Sequence, residues 1–540
     1  MNLNRIEFQP FKKDWWQKNW PVLVFLAVLV IAVYFNSLNN EFLSDDAAIS
    51  QNPDLNSFYY ITYSRYNLRS ILIYITNQLF GLNPAAYRIS NILFHLGSAW
   101  IIYFLIQHFF SSPIPLFTAS IFAVHPVLTE GVTWISGGPY SNGAFFVLLS
   151  FLYYILGIIP AAAIFFLVSL FFSEKVIGFP IILLLYELGF GNLKKNWKKL
   201  IPFFALSGIW LIRLLGLLGP RLAGLETNFN LEPGYNNPLV VIPVAITSYL
   251  ELVFWPQRLT FYHSELNFSQ AQLLIRQVLF LIYSGLIIFF SKKERRIAFW
   301  LVFPLILLSP TLTPFRIAWI VAERYLYPAA LGFFVAMAFL INKIGGLVKN
   351  RRATYIIFAL IITALSTRTI VRNRDWQNQD TLWLATAKYS PSSPQNHNNL
   401  GDMYSRHGEF DKAIAEFQTA IKLKPDYADA YNNLASAYNL TGQKDLAKEY
   451  YQKALLLNPR LWQTHLNLAA LYFSQNKFDL TLSHLIKAIE INPNNAELYV
   501  NLGIVHYRLK QIPEAKQAWQ KALSLDPQQP QAKQFLIELQ

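Results

Sequence analysis

The sequence predicts an all-α protein in two parts: a polytopic helical membrane domain over residues 1–371 and a superhelix of stacked helix pairs over 394–529. Three observations predict it. Hydrophobic residues make up 54% of the 540 and charged residues only 14%, against about a quarter charged in an average soluble domain. Uncharged apolar stretches recur from Pro21 to about residue 371. From about residue 394 onward, one pattern returns every 34 residues.

This composition excludes intrinsic disorder, and the mean hydropathy of +0.29 agrees. Zero Cys excludes a secreted disulfide scaffold, zinc fingers, iron–sulfur ligation and thiol catalysis. The net charge of +14 is uneven. Residues from Pro391 onward carry a net +1, so residues 1–390 carry +13. A basic excess in short clusters between apolar stretches fits cytoplasmic membrane loops. Nucleic acid is not an expected partner, because that needs a basic face on a polar domain.

The first stretch, Pro21–Phe35, carries no charge and follows Lys12, Lys13 and Lys18. It lacks a small-residue cleavage site and reads as an uncleaved first span. Further stretches follow near 87–107, 114–127, 140–157, 158–172, 175–188, 200–217, 238–255, 273–290, 297–313, 326–342 and 353–371. Several fall short of the roughly 20 residues that cross a bilayer. Clusters at Lys12/Lys13/Lys18, Lys194/Lys195/Lys198/Lys199, Lys292/Lys293/Arg295/Arg296 and Lys343/Lys349/Arg351/Arg352 are expected on the cytoplasmic side. An odd number of stretches separates the second cluster from the third. One of them is therefore expected not to cross, and 238–255 is the choice because Pro243 and Glu251 interrupt it and Trp255-Pro256 ends it. The expectation is about eleven spans, a cytoplasmic N-terminus and an extracytoplasmic C-terminal part.

In that part Leu400, Leu434, Leu468 and Leu502 recur with Pro425, Pro459, Pro493 and Pro527. Small residues recur at Gly401, Ala435, Ala469 and Gly503, and at Ala420, Ala454, Ala488 and Ala522. This is the tetratricopeptide pattern of two helices per repeat. Four repeats run 394–427, 428–461, 462–495 and 496–529. Residues 372–393 form a connector with an incomplete repeat helix, and 530–540 a capping helix. Asn399, Asn433, Asn467 and Asn501 occupy one position of each first helix. Stacked, they form either an amide ladder for an acceptor peptide backbone in the groove or local hydrogen bonds within the repeats.

The first outer loop carries Asp45-Asp46. Adjacent carboxylates cannot point the same way, so one can take a proton from an acceptor hydroxyl while the other orients a second group. The same Asp-Asp-Ala-Ala segment would also cap a helix. His125, Glu130, Glu174, Lys175, Arg221, Glu323, Arg324 and Tyr325 all fall on the outer side. Ionisable groups beside a membrane interior are functional candidates. Arg221, Lys175 and Arg324 are suited to an anionic lipid phosphate.

The order of Phe42-Leu43-Ser44-Asp45-Asp46, Asn91-Ile92-Leu93-Phe94-His95, His125-Pro126-Val127-Leu128-Thr129-Glu130, Glu174-Lys175 and Ala322-Glu323-Arg324-Tyr325-Leu326-Tyr327-Pro328, then the repeats, resembles the transmembrane and tetratricopeptide repeat-containing (TMTC-like) O-mannosyltransferases of the GT-C glycosyltransferase class. The resemblance implies a GT-C-like membrane domain with an extracytoplasmic site. It implies a polyprenyl- or dolichyl-phosphate sugar, usually mannose, as donor, a Ser or Thr hydroxyl of a protein as acceptor, and inversion at the sugar. Carried over by motif, Asp45 is the base with Asp46 as orienter or alternate. Arg324 and Tyr325 contact the lipid phosphate, Glu130, His125 and Glu174 shape the donor pocket, and Lys175 is a further phosphate candidate. The resemblance leans against a divalent cation, and no ligand cluster argues for a metal. A GT-C enzyme acting on a glycan or lipid acceptor, and a non-catalytic membrane scaffold, are the alternative readings.

Overall fold

The computed structural model describes residues 13–57, 68–217, 237–312, 319–347 and 351–539. The described residues are helices, turns and connecting segments without strands. The chain divides into two compact units, Met1–Tyr389 and Ser390–Gln540.

In the first unit, α1 (Lys13–Tyr34) leads into the Asp45-Asp46 loop. After α2 (Leu68–Phe80) comes α3 (Pro84–Phe109), which begins where Asn83 accepts the Ala85 N–H and Pro84 fills the first helical position. Next are α4 (Ile114–Val124), α5 (Gly138–Ile155), α6 (Ile159–Phe172) and α7 (Phe179–Gly189). They are followed by α8 (Leu193–Gly216), α9 (Pro238–Phe254) and α10 (Gln270–Lys293), the last opened by a reciprocal Ser269–Gln272 capping box. The unit closes with α11 (Arg295–Leu308), α12 (Glu323–Leu347), α13 (Arg351–Asp375) and α14 (Gln379–Tyr389).

The core centres on α4 and α12. α4 is buried almost throughout. α12 packs on α4, α5 and α11. Gly332 makes the α11 contact possible, since a Cβ there would lie 2.2 Å from the Trp300 carbonyl oxygen. α10 is the opposite case. Its Leu274, Ile275, Val278, Leu281 and Ile282 are exposed, as expected of a helix whose solvent is hydrocarbon.

Six described helices are long and apolar enough to cross a membrane, or seven if α4 and Pro126–Val132, bent by 51°, form one broken span. The unit is a multi-pass membrane domain, but the count is below the eleven expected. The physical reason is length: α4, α6, α7 and α11 have only 11 to 14 residues each, about 17–21 Å of helix against about 30 Å of hydrocarbon. The 238–255 stretch, expected not to cross, is α9 with 17 residues.

The second unit is four helix pairs: α15 (Pro394–Arg406) with α16 (Phe410–Leu423), α17 (Ala428–Leu440) with α18 (Lys444–Leu457), α19 (Trp462–Ser474) with α20 (Phe478–Ile491), and α21 (Ala496–Arg508) with α22 (Ile512–Leu525). The terminal α23 (Pro530–Glu538) packs on α22. The incomplete repeat helix expected within 372–393 corresponds to α14, which clusters with the first unit. Gly401 faces Phe417 and Gly503 faces Trp519, where a Cβ would approach the rings to 2.5 and 2.3 Å. The matching residues of the middle repeats are Ala435 and Ala469.

Candidate functional site

Asp45 and Asp46 lie in a tight turn, Ser44–Asp46, after the end of α1. Ser44 adopts φ +49°, a left-handed conformation that costs an L residue about 1–2 kcal/mol. Its neighbours hold it there. Asp46 is buried; its Oδ2 accepts the Leu43 N–H at 3.1 Å and its Oδ1 the Ser136 N–H at 2.8 Å. Burial pushes the Asp46 carboxyl above its ordinary range, against those hydrogen bonds and the charge of Arg88. Asp45 is exposed.

The loop is fastened from below. Arg88, itself buried, donates from Nε to the Thr133 carbonyl at 2.9 Å and from its two Nη atoms to the carbonyls of Asn40 and Glu41. The Glu41 N–H donates to the Gln377 carbonyl at 2.9 Å and Asn40 Nδ2 to that of Asn373 at 3.0 Å, which ties the loop to the end of α13. The Trp134 indole N–H donates to the Leu43 carbonyl at 3.4 Å.

Trp134 also joins this loop to Arg324. Its ring lies 5.9 Å from the guanidinium, and Phe261 lies at the same distance. Arg324 pairs with buried Glu130: Nη1 to Oε1 at 2.5 Å and backbone N to Oε2 at 2.8 Å. Tyr325 stands beside the Arg324 guanidinium at 5.3 Å, with its ring 6.2 Å from that of Tyr140 and 5.0 Å from Lys175 Nζ. Lys175 in turn lies 3.8 Å from Glu174. Thus Glu130, Glu174, Lys175, Arg324 and Tyr325 form one cluster, and Trp134 joins it to the Asp45-Asp46 loop.

His125 has a different environment. Its Nδ1 accepts the Val127 N–H at 3.2 Å and its Nε2 donates to the Val253 carbonyl at 2.9 Å. Both ring nitrogens are occupied by backbone, so the residue holds the turn after α4. Arg221 lies outside the described residues.

Sequence reasoning missed a second buried cluster. Glu323 accepts the Thr260 N–H at 2.6 Å, pairs with Arg372 Nη2 at 3.2 Å and stands 3.5 Å from His263 Nε2. Arg372 also meets Asp375 Oδ2 at 3.1 Å. Arg88 and Arg276 were missed too, although each is a charge inside an apolar stretch, which was the available signal. Among the described residues no group of three or more His, Asp or Glu is placed to hold a metal ion.

In the repeats, Asn433 Nδ2 donates to Asn398 Oδ1 at 3.0 Å, and Asn467 Nδ2 to Asn432 Oδ1 at 3.1 Å. These amides stitch neighbouring repeats together. For Asn433 and Asn467 the local hydrogen bonds are therefore present. Asn399 and Asn501 occupy the corresponding half-buried positions in the first and last repeats.

Residues 401–442 and 471–510 match a TPR repeat model, and 428–461 and 496–529 match tetratricopeptide repeat models. The human protein O-mannosyl-transferase TMTC3 is 24% identical over 465 residues, 74% of this chain and 51% of that protein. The Xenopus laevis protein O-mannosyl-transferase tmtc2 is 23% identical over 520 residues, 73% of this chain and 61% of that protein. The chain is similar over about three quarters of its length to proteins named as TMTC protein O-mannosyl-transferases. It spans about half the length of the TMTC3 proteins it matches. A crystal structure of MamA protein is 25% identical with a TM-score of 0.24, covering 27% of this chain and 80% of that one.

Proposed function

We propose that the protein transfers mannose from a polyprenyl- or dolichyl-phosphate donor to Ser or Thr hydroxyls of proteins on the extracytoplasmic side of a membrane, the repeats presenting the acceptor. One observation carries this reading: an exposed carboxylate, Asp45, sits on a loop immobilised by Asp46, Arg88 and Trp134, and Trp134 also packs against Arg324. The names of the TMTC relatives support the choice of reaction.

The chemistry is coherent with the groups present. The acceptor oxygen attacks the anomeric carbon from the face opposite the phosphate, and the C1–O bond to phosphate breaks. Asp45 takes the hydroxyl proton. The phosphate leaves as an anion, which needs positive charge rather than an acid. Asp46 and Ser44 hold the base in place. Glu130 fixes Arg324, and Arg324 with Tyr325 and Lys175 supplies positive and hydrogen-bonding groups at the cluster. A peptide held by the repeats reaches the base at a raised effective concentration.

The test is sugar transfer from labelled polyprenyl-phosphate mannose to a protein extract by the purified chain. Wild type is expected to label protein, and Asp45→Asn to lose at least about a hundredfold in rate, as removal of a general base does. Asp45→Asn protein that elutes and melts as wild type yet transfers at the wild-type rate ends the assignment. Label in lipid or glycan alone would replace the protein acceptor.

A further inference from the structure

The candidate site has two halves. The Asp45 loop carries the candidate base, and the Glu130–Arg324 pair carries the positive charge. A displacement with inversion needs base and charge on opposite sides of one sugar carbon, at a fixed separation. Misplacing one of them by about 1 Å can cost about a hundredfold in rate.

Two buried polar side chains reach both halves. The first is Arg88, which binds the carbonyls of Asn40 and Glu41 on the loop side and of Thr133 on the other. The second is Asn373, in the last turn of α13 and fully buried. Its Nδ2 donates to the Val33 carbonyl at 2.9 Å and to Asn36 Oδ1 at 2.8 Å. Its Oδ1 accepts the Thr133 hydroxyl at 2.8 Å. Its own carbonyl accepts Asn40 Nδ2 at 3.0 Å. Val33, Asn36 and Asn40 belong to the end of α1 and the turn that leads to Asp45. Thr133 follows the short helix Thr129–Val132, which carries Glu130, and precedes Trp134.

Thr133 is also fully buried, and both braces meet on it. Its carbonyl takes Arg88 and its hydroxyl gives to Asn373. A side-chain amide has two N–H hydrogens and one carbonyl oxygen, and in Asn373 all of them are engaged. Leucine, of similar size, offers neither kind of group. An ionised aspartate has no hydrogen for Val33 and Asn36. Asn36 returns the contact one turn earlier on α13, where its Nδ2 donates to the Ile370 carbonyl at 2.9 Å. Inside a buried junction each of these bonds is costly to leave unmade.

We propose that Asn373 and Thr133 are positioning residues that hold the base-bearing loop in register with the Glu130–Arg324 pair. Their effect on rate rests on the transferase reading above; the brace itself does not. Both side chains are buried and act through the groups they hold. Loosening them moves the base while Arg324, Tyr325 and Lys175 keep their places. The loss therefore falls on kcat rather than on KM.

The test uses the purified full chain in nanodiscs and two readouts. Hydrogen–deuterium exchange over residues 40–46 needs no activity. The Glu41, Leu43 and Asp46 N–H groups are all bonded there. They are expected to exchange at least about tenfold faster in Asn373→Ala and in Thr133→Val. Thr133→Val keeps the shape of threonine, so it decides the question if Asn373→Ala does not fold. In sugar transfer, Thr133→Val is expected to lower kcat by about ten- to a hundredfold with KM within about twofold. Thr133→Ser, which keeps the hydroxyl, restores most of both readouts. The proposal is overturned if Thr133→Val exchanges as wild type, if KM rises while kcat holds, or if Thr133→Ser behaves as Thr133→Val. Faster exchange in the variants without sugar transfer by wild type keeps the brace and removes the reaction. Transfer that requires Asp45 but is indifferent to these variants removes the brace and keeps the reaction.

Discussion

Asp45 and Asp46 are neighbours in sequence and opposites in environment. The turn at Ser44 sends one carboxylate outward and the other into hydrogen bonds with Leu43 and Ser136. A base needs exposure to its substrate and a fixed position, and here two residues divide those needs. The Glu323–Arg372 pair shows the cost of buried charge. Both side chains are almost fully buried, at 0% and 1% exposure. Arg372→Ala leaves Glu323 without its main counter-charge and is expected to cost about 3–5 kcal/mol. Glu323→Gln with Arg372→Met removes both charges and is expected to recover part of the loss. Thermal denaturation of the full chain in detergent reads this, and a single variant melting as wild type contradicts it. The acidic and basic members of the Asp45 and Arg324 clusters were legible in the sequence, because charges stand out against apolar stretches. Trp134 was not, because an aromatic residue among aromatics carries no such contrast; only the fold brings it between Leu43 and Arg324.

At the scale of elements, the repeats carry a device at a fixed position. Gly408, Gly442, Asn476 and Lys510 stand 34 apart and all adopt positive φ, at +76°, +81°, +56° and +62°. Lys510 has a side chain in a conformation that suits glycine. Lys510→Gly is expected to stabilise the repeats by about 1 kcal/mol, read as a higher midpoint in thermal denaturation. An unchanged or lower midpoint would count against that strain.

The histidines of the repeats give a pH dependence with two signs. His465 Nδ1 and His484 Nδ1 face each other at 3.0 Å. Burial, then His465 and Lys487, push the His484 imidazole down to about 4, and burial lowers His465 as well. The unfolded chain protonates first, so this pair stabilises the fold above about pH 6.5 and loses its contribution as pH falls toward 4. His397 runs the other way. Glu416 raises it, so its contribution is complete below about pH 6.5 and disappears as pH rises through its folded value. His484→Tyr, which copies Tyr450 at the same position of the second repeat, is expected to reduce the loss of melting temperature between pH 7 and pH 5. An unaltered pH profile would exclude the pair as its source.

For the whole molecule, the positive clusters and the odd span count expected from sequence predict opposite sides for Lys292 and the repeats. The absence of Cys makes this measurable with single labels. A membrane-impermeant maleimide applied to intact cells or right-side-out vesicles is expected to label Leu440→Cys and to spare Lys292→Cys until the membrane is opened. Both native side chains are exposed. Equal protection of the two would place the repeats in the cytoplasm and exclude the proposed acceptor route. The span count itself was only partly legible. Hydropathy sees apolar length along the chain, whereas α4 and α11 are apolar because other helices surround them.

Composition and the 34-residue period determined by themselves that this is a helical membrane chain ending in tetratricopeptide repeats, since both depend on properties that add up along the sequence. The tertiary structure decided which charges meet, which Asp faces outward, and which buried amide joins the Asp45 loop to the Glu130 turn. Those outcomes depend on contacts between residues dozens to hundreds of positions apart, and no local pattern encodes such distances.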